Sequence, residues 1–147
     1  MTKPVILDSS ALIAQINLGD SLHERAEEIT SLITKTDRQV ILPQEVFAET
    51  INIFGKKVGR KEAVMLGREL LARHKSGMLI IATSDADILS AALDLLNIAK
   101  GKKPSFVDCL VMVYANVYKM KEIFGFDEAF EKNGYTLPTH RTEQEAP

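Results

Sequence analysis

Three short apolar runs, Val5-Ile6-Leu7, Gln39-Val40-Ile41-Leu42 and Met78-Leu79-Ile80-Ile81-Ala82, carry no polar alternation, and each leads into a segment with helical periodicity. Strands that are apolar on both sides of the pleat need cover on both faces, which is the condition of strands inside a parallel sheet. Strand and helix in alternation read as one α/β domain, three-layer α/β/α, with a mostly parallel central sheet of four to five strands.

The intervening segments fit that frame. A short helix is expected over Ala11-Leu12-Ile13-Ala14 and Ile16, stopping near Asn17-Leu18-Gly19, and a second from about Leu22 to Thr34, with Ala26, Ile29, Leu32 and Ile33 inward. Pro43 suits the first turn of the next helix, where Val46, Phe47, Thr50, Ile51 and Phe54 repeat every 3.6 residues until Gly55. Lys56 to Lys61 reads as a basic loop, and Glu62 to His74 as a helix with Ala63, Leu66, Leu70 and Leu71 inward. A helix from Asp85 to Ile98 starts with Ser84 and Asp87 spaced as in a capping box. After a second basic loop, Lys100 to Pro104, Ser105 caps a helix carrying Val107, Leu110, Val111, Val113, Tyr114 and Val117. Glu122 to Phe126 reads as a fourth strand with its exit, Asp127 to Lys132 as a short helix, and Gly134 to Leu137 as an edge strand. Residues 1–137 are expected to form the single domain, and 138–147, with nothing apolar to bury, a disordered tail.

With 147 residues, 46% hydrophobic and 26% charged, the chain can bury a substantial core without staples. Its single cysteine, Cys109, excludes an intramolecular disulfide and a thiol-rich zinc site. No secretion signal or bilayer-length apolar stretch appears, so a soluble cytoplasmic protein is expected. A net charge of −2 argues against coating nucleic acid by bulk electrostatics, although a local basic patch beside an acidic site is compatible with a nucleic-acid enzyme.

Four acids fall where this layout would bring them together. Asp8 ends the first strand, Glu49 lies among Val46, Ile51 and Ile53, Asp108 sits in a helix's first turn, and Asp127 follows the fourth strand. In open α/β sheets the crevice beyond the strands' carboxyl ends is where ligands bind. Each acid has a plainer reading: Asp8 or Asp127 as a helix cap, Asp108 as a partner of the helix dipole. Glu49 resists one, because a solvated glutamate belongs on the polar face. Burying such a carboxylate unpaired costs several kcal/mol, and clustering several raises their pKa values. A divalent cation removes both conflicts. Glu45 reads as a first-turn dipole residue, Asp85 and Asp87 as caps, and His23, His74 and His140 as bystanders.

Jointly, Val5 to Ile13, Pro43 to Thr50, Ser105 to Leu110 and Ile123 to Phe130 resemble the PIN-domain family, in particular the VapC-type toxin ribonucleases, over Val5 to about Leu137. The resemblance implies that Asp8, Glu49, Asp108 and Asp127 are catalytic, metal-binding acids and that Ser10 is their polar companion, leaving capping mainly to the serines. Gly125 departs from the pattern, since the family often carries Thr or Ser there. The implied activity is metal-dependent endonucleolytic cleavage of RNA, and oxygen ligands suit Mg²⁺ or Mn²⁺. A homodimer and a cognate antitoxin are the implied partners. Lys56, Lys57, Arg60, Lys61, Lys102 and Lys103 are candidate RNA-binding residues, with ordinary solvated loops as the plainer reading.

Other classes fit less well. A haloacid-dehalogenase-type phosphatase needs an acid where Ser10 stands, and a receiver domain needs an acidic pair ahead of Asp8. The serious competitor is a PIN-like RNA- or protein-binding module without catalytic activity, its acids serving metal-dependent stability.

Overall fold

The structure is a computed structural model that describes residues 3–101 and 104–138. In chain order its elements are β1 (Val5–Leu7), α1 (Ser9–Ile16), α2 (His23–Lys35), β2 (Val40–Pro43), α3 (Gln44–Lys57), α4 (Arg60–Ser76), β3 (Leu79–Ala82), α5 (Ala86–Ile98), α6 (Phe106–Val117), β4 (Ile123–Phe124) and α7 (Glu128–Lys132). The four strands form one sheet in the order β3-β2-β1-β4, parallel throughout.

β1 is central, and Val5, Ile6 and Leu7 are all buried, as an unalternating apolar run requires. Sinking each such side chain out of water contributes about 1.5–3 kcal/mol. The register pairs Val5 with Val40, Val40 with Leu79, and Leu7 with Phe124, so these side chains share one face of the sheet. Ile6, paired with Ile41 and Ile123, points to the other. α1 packs on α2 and α3, and α3 on α4, as one helical layer. α5 packs on α6, and α6 in turn on β1, β2, β4 and α7, as the second. The expected three-layer α/β/α architecture is the one observed, at the four-strand end of its range.

Several boundaries differ from the sequence reading. Pro43 belongs to β2, paired with Ala82, and caps the next helix from an extended conformation. α3 runs through Gly55 to Lys57, and the chain turns only at Val58-Gly59, where Gly59 has a φ of 153° that side-chain-bearing residues avoid. The basic loop is therefore a helix–helix corner, with Lys56 and Lys57 ending α3 and Arg60 and Lys61 starting α4. Leu71 is 51% exposed, because Leu66 and Leu70 already fill the buried stripe of α4 and the next residue is rotated by about 100°. Asp85, not Ser84, caps α5, its carboxylate accepting from the Ile88 N–H at 2.9 Å. The expected edge strand shrinks to one parallel bridge between Glu122 and Thr136. Pro138 is buried, and the rest of the expected tail lies outside the described residues. Among the described residues, no helix is long and apolar enough to cross a membrane.

Candidate active site

The parallel sheet delivers the carboxyl ends of β1 and β4 side by side, and the site is built on that junction. The Asp8 N–H donates to the Phe124 carbonyl at 2.9 Å, so the residue that leaves β1 is still tied to the neighbouring strand. Its extended φ and ψ make it the N-cap of α1. Oδ2 accepts from the Ser10 hydroxyl at 2.8 Å and from the Ser10 N–H at 3.3 Å. The Ser10 oxygen accepts in turn from the Phe126 N–H at 2.9 Å, which ties α1 to the exit of β4. Capping therefore falls to Asp8 rather than to the serines, and it occupies only one carboxylate oxygen. Oδ1 is buried and has no hydrogen-bond partner. Burial is the main reason that the Asp8 pKa rises to about 7; the Ser10 hydroxyl lowers it, and the charges of Asp108 and Glu49 raise it.

The other acids arrive from three further elements. Glu49 projects from α3 and its pKa is raised, chiefly by burial, against a lowering hydrogen bond from the Ser9 hydroxyl; Asp108 and Asp127 raise it further. Asp108 completes a capping box: its Oδ2 accepts from the Ser105 N–H at 2.9 Å while its own N–H donates to the Ser105 hydroxyl oxygen at 3.0 Å. Burial also raises the Asp108 pKa, opposed by the Ser105 N–H and reinforced by Asp127. Asp127 is exposed and caps α7, accepting from the Ala129 N–H at 2.9 Å. For Asp8 and Asp127 the capping and cleft positions coincide, since a helix N-terminus after a strand's carboxyl end both favours a carboxylate and aims it at the crevice, and Asp108 reaches the same cleft from the first turn of α6.

All four line one open cleft of about 470 Å³ with Ser9, Ser10, Ile13, Asp20, Leu22, Ile53, Lys57 and Ser105. Lys57 reaches it because it follows Glu49 and Ile53 at successive four-residue steps along one face of α3. Lys56, Arg60 and Lys61 do not line the cleft, being rotated off that face or carried onto α4; Lys102 and Lys103 lie outside the described residues. Two participants are absent from the sequence reading. Ser9 is one of the two serines directly after Asp8, and Asp20 sits in a turn, accepting from the Leu22 N–H at 2.9 Å, with no periodicity to flag it. Neither described histidine lines the cleft: His23 Nδ1 bonds the Ala14 carbonyl, and His74 Nδ1 accepts from the Ile81 N–H.

Among the described residues, no three His, Cys, Asp or Glu side chains converge closely enough to enclose an ion on their own. The donor set suits a hard cation that keeps several waters and takes one or two carboxylates directly, and the buried Oδ1 of Asp8 is left without a hydrogen-bond partner by the capping bonds. Asp8 is crowded by the chain at Gly125, which leaves β4 beside it. A Cβ built on Gly125 would fall 2.8 Å from Asp8 Cβ and 2.6 Å from Phe130 Cε2, and the corner's hydroxyl comes from Ser10 instead.

Residues 5–134 match the PIN domain family. No curated protein matches the chain by sequence. Among solved structures, the fold is similar to that of VapC20 of Mycobacterium tuberculosis, a sarcin–ricin-loop-cleaving toxin, with a TM-score of 0.75, 21% identity, and coverage of 89% of this chain and 95% of that one.

Proposed function

The chain belongs to the PIN-domain family, and from that premise we propose that it is a Mg²⁺- or Mn²⁺-dependent endoribonuclease acting as the toxin of a toxin–antitoxin pair. The observation that carries this reading is the buried, unpartnered Oδ1 of Asp8 in a cleft shared with Glu49, Asp108 and Asp127. A carboxylate so placed among other carboxylates lowers the stability of the metal-free fold, and a cation-dependent activity accounts for its retention.

In this reading Asp8, Glu49 and Asp108 would hold the cation, with Asp127 at the rim. When bound, the ion supplies stabilisation of the charge that develops on the scissile phosphate and lowers the pKa of water for attack. The protein's own part is placement. Ser10 fixes the plane of the Asp8 carboxylate and Ser105 that of Asp108, while Ser9 lines the cleft beside Glu49. Lys57 offers a cation for a backbone phosphate at the cleft wall, where Ile13, Leu22 and Ile53 limit the water around it. Hydrolysis then adds one water across a P–O bond.

Purified protein should cleave RNA only with Mg²⁺ or Mn²⁺ present, a sarcin–ricin-type stem-loop being a rational first substrate. Asp108→Asn should cut at least about a hundredfold more slowly, a loss of roughly 3 kcal/mol of transition-state stabilisation. Equal cleavage by the variant would indicate a contaminant and favour a non-catalytic binding module. A cognate antitoxin is the partner such an enzyme requires in its host, and growth arrest on expression of wild type, but not of Asp108→Asn, is its expected cellular sign.

A homodimer forms part of the proposal. Its support is the apolar stripe of Leu89, Leu93 and Leu96 along one flank of α5, each 37% exposed or more. Leu93→Glu should turn a dimer into a monomer in sedimentation, and an unchanged mass would remove this face from consideration.

A further inference from the structure

Glu49 and Asp108 come from opposite helical layers, α3 and α6, and carry like charges toward one cleft. Something must resist their separation before a cation binds. A half-buried chain of hydrogen bonds crosses the sheet's carboxyl edge between the same two helices. Ser84, two residues beyond β3, donates its hydroxyl to Glu45 Oε1 at 3.0 Å and lies 3.0 Å from the Tyr114 hydroxyl. The single serine proton is committed to the carboxylate, so the phenol donates to the serine. Tyr114 is only 3% exposed, so its end of the chain is screened from water. Glu45 stands one turn before Glu49 on α3, and Tyr114 six residues after Asp108 on α6. None of the three lines the cleft, and none is needed to cap a helix, since Pro43 and Asp85 occupy those cap positions.

We propose that Glu45, Ser84 and Tyr114 form a clasp of positioning residues that holds Glu49 and Asp108 at the spacing a divalent cation requires. The inference rests on the metal-dependent reading of the cleft. Broken, the clasp lets α3 and α6 relax apart under the repulsion of their acids, and the cation must draw them together again on binding. Affinity for the ion falls, while RNA contacts made at saturating metal do not.

The test titrates Mn²⁺ against wild type, Ser84→Ala, Tyr114→Phe and Ser84→Thr, reading both the melting temperature and the Mn²⁺ concentration for half-maximal cleavage. Supporting outcomes are a roughly tenfold rise in the half-saturating Mn²⁺ for Ser84→Ala and Tyr114→Phe, an unchanged KM for RNA at saturating Mn²⁺, and recovery in Ser84→Thr, which keeps the hydroxyl. If the variants melt lower but respond to Mn²⁺ as wild type does, the clasp is structural support alone and the proposal fails. If wild type itself shows neither stabilisation by Mn²⁺ nor cleavage, the metal-dependent reading fails and takes the clasp's function with it. Tyr114→Phe loses a single oxygen and retains the ring's packing, so its Mn²⁺ response decides the matter even where the serine variants misfold.

Discussion

Asp8→Asn is expected to slow cleavage by about a thousandfold or more, equivalent to roughly 4 kcal/mol, while making the metal-free protein more stable at pH 8. The two effects have one origin. The Asp8 pKa is about 7 in the fold against 3.8 for the free side chain, mainly because burial disfavours the charge. Between those pH values the folded state holds a proton that the unfolded state has lost, so stability falls as pH rises. The penalty is absent below about pH 4, grows through pH 4 to 7, and is complete above the folded pKa, where it is of the order of a few kcal/mol. Asn is neutral at every pH and nearly isosteric, so the penalty disappears and the melting temperature at pH 8 should rise by several degrees, at about 2–4 °C per kcal/mol. Mn²⁺ reverses the comparison: it should raise the wild-type melting temperature by mass action, more strongly at pH 8 than at pH 6 as proton competition fades, and leave Asp8→Asn unmoved. Scanning calorimetry at both pH values, with EDTA and with Mn²⁺, reads all of this. A variant that melts lower at pH 8 and still responds to Mn²⁺ would reduce Asp8 to a helix cap.

The strands are legible in the sequence because their physics is local. Val5-Ile6-Leu7 and Val40-Ile41-Leu42 are apolar without alternation, and only a sheet covered on both faces accommodates that. The four acids are legible as a group because each stands where strand and helix patterns change, and the fold does bring them to one cleft. What stays hidden depends on which of two adjacent polar residues wins a role. Asp8 and Ser10 both can cap, and so can Ser84 and Asp85; the aspartate prevails in each pair, freeing the serine hydroxyl to bridge elements far apart in sequence. The helix–helix corner at Val58-Gly59 escapes a local reading for a similar reason. Gly55 and the lysines around it look like a break, yet the helix continues and places Lys57 alone of its described basic neighbours at the cleft. Ser9 and Glu49 line the same cleft from forty residues apart, a relation that no local spacing encodes.

Gly125→Ala should cost far more than a single methyl usually does, in activity above all. Gly125 is not among the positive-φ residues, so the cost is contact rather than backbone strain. The new Cβ would meet Phe130 Cε2 at 2.6 Å and Asp8 Cβ at 2.8 Å. Neither neighbour yields freely. Asp8 is pinned on one side by its N–H bond to Phe124 and on the other by Ser10, and Phe130 is held at 3% exposure on the buried face of α7. Overpacking of this sort costs about 1–3 kcal/mol, and whichever neighbour moves carries an acid of the cleft with it, Asp8 directly or Asp127 through the start of α7. A displacement near 1 Å at a reacting centre is worth about a hundredfold in rate, so activity should fall further than stability does. Phe130→Leu in the same chain removes the ring atoms in the way and should restore part of both losses, with a coupling of about 1 kcal/mol or more in a double-mutant cycle. Strictly additive effects would mean that the ring was never the obstacle. Relief by Phe130→Leu would show that the glycine makes room for the Phe130 ring where β4 passes Asp8, with Ser10 supplying the hydroxyl that meets the Phe126 N–H.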